Sequence, residues 1–186
     1  MKPSGDHPPA GTVGDWLDAR ARRGGVAVVF PDSGRTLHWA ELHAAARRFA
    51  GALTARGASK SDSVAIVAPN GPEAVTALYG TLVGGFRATM INLAAGRDAI
   101  AFALEHSEAR LAYVHADSRT LFDDANGTAI SVVPLDADGD SPLCAVGPGD
   151  DALLMYTSGT TGRPKGWSTP TQVCCPAAGR PRLPMT

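Results

Sequence analysis

The chain has 186 residues, with 17 basic against 18 acidic side chains, a formal charge of −1 and 44% hydrophobic residues. This balance excludes a protein that holds nucleic acid through an excess of Lys and Arg, and no apolar run approaches the roughly 20 residues that span a bilayer. Three cysteines (Cys144, Cys174, Cys175) make no even disulfide framework, and the first residues lack the apolar stretch of a secretory signal, so the composition points to a reducing, cytoplasmic setting.

Residues 1–11 are rich in Pro, Gly and His and are expected to be disordered. Thr12 stands three residues before Asp15, an N-cap arrangement, and Trp16, Leu17 and Ala21 suggest a short helix that Gly24 and Gly25 end. GVAVVF (25–30) and RTLHW (35–39), separated by the turn PDSG, predict a hairpin. Over 39–56 the apolar residues Leu42, Ala46, Phe49 and Leu53 recur at helical spacing, and Gly57 closes the run. VAIVA (64–68) reads as a strand covered on both faces. Pro72 opens a helix through Val75, Leu78, Tyr79 and Leu82, ended by Gly84 and Gly85. FRATMI, a helix around Ile100 and Leu104, RLAYV (110–114), AISVV (129–133) and ALLMY (152–156) continue the alternation. Strands separated by helices predict β-α-β units, an α/β fold with a mostly parallel sheet.

The chemistry concentrates in YTSGTTGRPKG (156–166), directly after the last apolar strand. Ten consecutive residues from Thr157 hold four hydroxyls, three glycines and one lysine, and none suits a core. Glycines let successive N–H groups turn toward a ligand, small side chains admit it closely, and Lys165 adds a full charge. Such a segment is suited to phosphate, with Thr157, Ser158, Thr160 and Thr161 donating to its oxygens and Gly159 and Gly162 giving room. The Walker pattern fails because Lys165 follows Pro164 and precedes Gly166. A dinucleotide fingerprint fails for want of a third glycine in phase. The competing reading is a flexible polar linker.

This segment resembles the phosphate-binding signature of the AMP-forming acyl-CoA synthetases and their adenylate-forming relatives, with apolar Leu154 three residues before Thr157. The resemblance extends upstream through GRTLHWAELHAAARRFAGAL, DSVAIVAPNGPEAVTALYGTLVGGFRATMIN and EHSEARLAYV, in the family's order from about Gly25 to Gly166. Ile91-Asn92 is more similar to the acyl-CoA and aryl-CoA ligases than to amino-acid-activating domains. Ser61 stands where a glycine usually precedes Asp62, and Met90 where a proline is usual. The resemblance implies an acid–thiol ligase of fatty-acid-CoA type: a carboxylate attacks the α-phosphate of Mg-ATP to give acyl-AMP and pyrophosphate, and the thiol of coenzyme A then displaces AMP. Thr157, Ser158, Gly159, Thr160, Thr161, Gly162 and Lys165 are the implied ATP-binding residues, around the β- and γ-phosphates. The family's catalytic lysine, its Mg-binding carboxylate and its adenine and acyl contacts lie downstream of this segment, so no catalytic residue and no protein metal ligand is assigned.

The expected organisation is therefore a disordered 1–11, a partial AMP-binding domain at 12–166 and a tail at 167–186 that departs from the family. Asp151 is the last acidic residue, and WSTPTQVCC follows Gly166 where the family runs on through valine to a Thr-His or Ser-His pair. Trp has the single codon TGG. With one base restored ahead of Trp167, the shifted codons permit Val-Val-His-Thr-His, which is the family's pattern, so the tail is read as out of frame. A truncated chain of this kind is expected to be inactive by itself. The alternatives are a non-catalytic module that binds nucleotide or a protein partner, and one half of a split enzyme with a separately encoded C-terminal part.

Smaller signals carry less. DADGD (136–140) lacks the glycine and glutamate of a calcium loop at the sixth and twelfth positions, which are Ser141 and Gly147, and is read as a solvated turn. His7, His38, His43, His106 and His115 form no i, i+4 pair of metal ligands and are assigned to surface or turn positions. Cys144 has no neighbour that would make it a nucleophile, and Arg47 and Arg48 fall on the wet face of their helix.

Overall fold

The structure is a computed structural model describing residues 11–125, 130–139, 141–157 and 165–171. The elements up to the middle of the chain follow the sequence reading. Helix α1 (Val13–Arg23) starts at a capping box: Thr12 Oγ1 accepts from the Asp15 N–H at 3.2 Å, and Asp15 Oδ2 accepts from the Thr12 N–H at 2.7 Å. The Thr12 N–H bond first, and then the Thr12 hydroxyl, which donates to the same Oδ2 at 2.9 Å, hold the Asp15 carboxyl below its ordinary value. Strands β1 (Val26–Phe30) and β2 (Arg35–His38) pair antiparallel as a two-stranded sheet. Helix α2 (Trp39–Ala55) follows directly.

Strand β3 (Ser63–Val67) is buried at every position, as its unbroken apolar run requires. Helix α3 (Pro72–Val83), strand β4 (Arg87–Met90), helix α4 (Arg97–His106) and strand β5 (Leu111–Val114) complete two β-α-β units. A short 3-10 turn (Ala116–Ser118) and helix α5 (Arg119–Ala125), which the sequence reading did not separate out, lead to strand β6 (Ser131–Val132). Strand β7 (Asp151–Thr157) is the predicted ALLMY strand. A further strand, β8 (Lys165–Pro170), follows where the sequence showed no periodic apolar pattern. It straddles residue 166, the expected end of the family-like region.

Among the described residues these strands form a six-stranded sheet in the order β6-β5-β3-β4-β7-β8, parallel throughout except for the β7–β8 pair. The alternating faces of β3 divide the core. Val64 and Ile66 join Phe49 and Leu53 of α2, and Ala74 and Ala77 of α3, on one side. Ala65 and Val67 join Ile100 and Leu104 of α4, and Phe122 and Ala125 of α5, on the other. A third cluster, with Leu17, Leu37, Leu42 and Val83, seats α1 and the hairpin on the outside of α2 and α3. Helices on both faces of a mostly parallel sheet are the fold the sequence predicted.

Close backbone approaches explain two glycines. A Cβ on Gly80 would lie 2.8 Å from Phe49 Cδ1 and 2.9 Å from the Ala46 carbonyl oxygen, so α2 and α3 cross where Gly80 offers no side chain. A Cβ on Gly51 would run into the Gly139 carbonyl, because the 134–139 segment lies against α2 there. DADGD is thus solvated at Asp136 and Asp138 but packed at Gly139, while Asp140 lies outside the described residues.

Ser61 adopts φ of +68°, the left-handed region that suits glycine, and its N–H bonds the Gly85 carbonyl at 2.8 Å. The departure from the usual glycine thus has a local cost. Ser61→Gly is expected to raise stability by up to about 1 kcal/mol, the relieved strain exceeding the added chain entropy of glycine. A urea midpoint equal to or below that of the parent chain would contradict this.

Candidate functional site

The site is built on the strand pair β7–β8. β7 runs parallel to β4, so Thr157 sits at the C-terminal edge of the parallel sheet, the edge at which open α/β sheets hold their ligands. β8 returns antiparallel with Tyr156 opposite Gly166 and Thr157 opposite Lys165. The first and last residues of the predicted phosphate segment are therefore cross-strand partners, with backbones about 4.5–5.5 Å apart. Ser158, Gly159, Thr160, Thr161 and Gly162 lie outside the described residues.

The other end of the strand pair is tied down. The Asp150 carbonyl accepts from the Thr171 N–H at 2.8 Å and from its hydroxyl at 3.1 Å. The Asp150 carboxylate meets Lys60 Nζ at 2.7 Å and accepts from the Gly147 N–H at 2.6 Å. The Lys60 bond, followed by the Gly147 bond, holds this carboxyl below its ordinary value.

Beneath the strand pair, α4 ends in a polar and aromatic cluster. Arg87 Nη2 donates to the Ser107 carbonyl at 3.1 Å, placing a cation at the C-terminus of α4. The Tyr156 hydroxyl lies 3.0 Å from His106 Nδ1, and Phe102 stacks on the imidazole. The sequence reading gave His106 a surface position, which is correct, but assigned it no partner. The only local signal was the four-residue spacing of Phe102 and His106 on one helix face.

Burial pushes the Tyr156 phenol up to about 12, with the nearby Arg87 charge opposing. Burial also raises Tyr113, aided by the Glu73 carboxylate. Both shifts favour the neutral phenol in the folded state. Their contribution to stability is therefore full below the ordinary value of 10.0 and is lost as pH rises toward about 12. Tyrosinate absorbance of the native chain is expected to lag behind that of the urea-unfolded chain, and Tyr156→Phe should remove the latest-ionising component. Coincident titrations would contradict this.

Asn92, which favoured the acyl or aryl ligases, makes a turn: its Oδ1 accepts from the Ala94 N–H at 3.0 Å. Cys144 is a half-buried free thiol, and Cys174 and Cys175 lie outside the described residues. Among the described residues no group of three or more His, Cys, Asp or Glu side chains could hold a metal ion, and no helix is long and apolar enough to cross a membrane.

A family model described as AMP-binding enzyme matches residues 17–173. The chain belongs to the AMP-binding enzyme family. It is thereby placed among the AMP-forming acyl-CoA synthetases and their adenylate-forming relatives that the 156–166 segment resembles. The sulfoacetate–CoA ligase of Cupriavidus necator is 31% identical over 151 residues, covering 73% of this chain and 30% of that protein. The long-chain-fatty-acid–CoA ligase FadD13 of Mycobacterium tuberculosis is 33% identical over 154 residues, covering 75% and 31%. The inhibitor-bound N-terminal domain of FACL13 from Mycobacterium tuberculosis superposes with a TM-score of 0.76 at 30% identity, covering 86% of this chain and 44% of that one. The chain thus corresponds to the N-terminal part of AMP-binding enzymes and spans about 30% of the length of these curated relatives. The family match takes in β8 and continues seven residues beyond Gly166.

Proposed function

We propose that this chain is the nucleotide-phosphate-binding part of an ATP-dependent acid–thiol ligase, which activates a fatty or other carboxylic acid as acyl-AMP and transfers the acyl group to coenzyme A. The observation that carries this is the pairing of Thr157 with Lys165 at the C-terminal edge of the parallel sheet, which brings together the ends of a segment rich in hydroxyls and glycines. In this reading the hydroxyls of Thr157, Ser158, Thr160 and Thr161 donate to non-bridging phosphate oxygens. Gly159 and Gly162 let the backbone approach, and Lys165 balances the charge of the pyrophosphate as it leaves. Positioning and charge neutralisation are what this chemistry mainly asks of a protein. Mg enters with ATP, coenzyme A is the second substrate, and the setting is cytoplasmic. The odd composition after Gly166 is read as a shifted frame, which the DNA across the Lys165 codon tests: an early stop in the restored frame would contradict it.

A polypeptide of these 186 residues, assayed alone, is expected to show no carboxylate-dependent ATP–pyrophosphate exchange, because the family's adenylating lysine and acyl contacts match no position in it. Turnover would contradict this. A binding-only module, alone or paired with a separately encoded partner, is the second reading. It is favoured by β3, which this chain's own helices cover on both faces.

A further inference from the structure

One side-chain cluster outside the 157–165 segment touches both strands that carry it. Tyr156 reaches down from β7, and its hydroxyl is 3.0 Å from Nδ1 of His106, the last residue of α4. Phe102, one turn earlier, lies 5.3 Å from the imidazole with an interplanar angle of 25°, and meets the Tyr156 ring edge-on at 6.4 Å and 83°. On β8, Gly166 stands opposite Tyr156, where an added Cβ would be 3.3 Å from Tyr156 Cε1 and 3.7 Å from His106 Cε1. The absence of a side chain at Gly166 therefore lets β8 close onto the same rings. Each strand arm is gripped one residue away from the Thr157–Lys165 pair.

We infer that His106 is a positioning residue for nucleotide binding: through Tyr156 it docks the β7–β8 pair on the end of α4 and so fixes the spacing at which Thr157 and Lys165 are presented. The inference rests on the phosphate reading proposed above. Its physical basis is leverage. The chain rises about 3.3 Å per residue in a strand, so a tilt of the pair about its anchored Asp150–Thr171 end moves the Thr157–Lys165 end most. The His106–Tyr156 bond lies at that far end. His106 itself is exposed, whereas the adjacent apolar cluster is closed by Ile100, Ala103 and Leu104 on the same helix. Loss of the imidazole therefore frees the hairpin end without opening the core.

The test titrates the chain and its variants with magnesium pyrophosphate, alongside urea unfolding. His106→Ala is expected to weaken binding by about three- to tenfold, the worth of one hydrogen bond, with the unfolding midpoint nearly unchanged. His106→Asn, whose amide sits near the position of Nδ1, should restore most of the affinity. Tyr156→Phe should match His106→Ala, and the double variant should be no weaker than either single one, since both remove the same bond. Parent-like affinity in His106→Ala, no rescue by asparagine, or additive losses in the double variant would each overturn the inference. If the parent chain binds no pyrophosphate, the phosphate reading itself fails, and this inference falls with it.

Discussion

Replacing Phe49 by alanine is expected to cost about 3–5 kcal/mol of stability, the usual range for emptying a fully buried aromatic site. Phe49 has no exposed surface. Its ring meets Tyr113 of β5 edge-on at 6.2 Å and 82°, and it lies against Gly80 on α3. One side chain thus joins α2, α3 and the sheet. The gap cannot close by a simple shift, because the Ala46 carbonyl already limits how near α3 can come. For a domain of ordinary stability, roughly 5–15 kcal/mol, the loss is a large share of the total. The coupling to Gly80 gives a sharper check. Gly80→Ala alone should destabilise by forcing α2 and α3 apart, and should cost less in the Phe49→Ala background, where the contact with Cδ1 is gone. Urea unfolding of the two single variants and the double variant measures this coupling. A Phe49→Ala loss below about 1 kcal/mol, or strict additivity with Gly80→Ala, would contradict the packing described.

The second large effect concerns charge. Lys165→Met should weaken binding of magnesium pyrophosphate by about 1–3 kcal/mol, the range for a charge-assisted hydrogen bond, while leaving the fold intact, since Lys165 enters the structure through its backbone pairing with Thr157. Because the interaction is with a full charge, the parent chain should lose affinity with added salt more steeply than the variant does. Lys165→Arg keeps the charge but changes its shape, and should recover part of the loss. Isothermal titration of the three proteins at two salt concentrations separates these outcomes. Equal affinities would remove Lys165 from the site.

How much was legible in the sequence depended on whether the decisive contacts were local. The unbroken apolar run of β3 signalled a strand covered on both faces, and Pro72 marked the start of α3. Helix α5 was missed because it has seven residues and begins from a 3-10 turn capped by His115, leaving no amphipathic stretch to read. Strand β8 was missed because the stretch from Lys165 to Pro170 does not alternate. Its strand character comes from backbone pairing with β7, a partner that composition does not reveal. The same division holds at the site. Hydroxyls, glycines and a lysine concentrated after an apolar strand made 157–165 stand out, whereas the His106–Tyr156 bond joins residues fifty positions apart and leaves only the four-residue spacing of Phe102 and His106 as a local trace. Ser61 falls between these cases: only the family resemblance marked it as a departure from a glycine, and the structure supplied the reason, a positive φ.

The most direct test of the account is amide hydrogen exchange of the 186-residue chain with and without magnesium ATP. Thr157 and Lys165 are paired at the C-terminal edge of the parallel sheet, and the intervening residues are proposed to hold the nucleotide phosphates. Amides in 157–165 should therefore gain protection with ATP and with pyrophosphate, but not with adenosine, while α2 and α3 stay unchanged. Unaltered exchange across 157–165 at saturating ATP, or equal protection by adenosine, would contradict it.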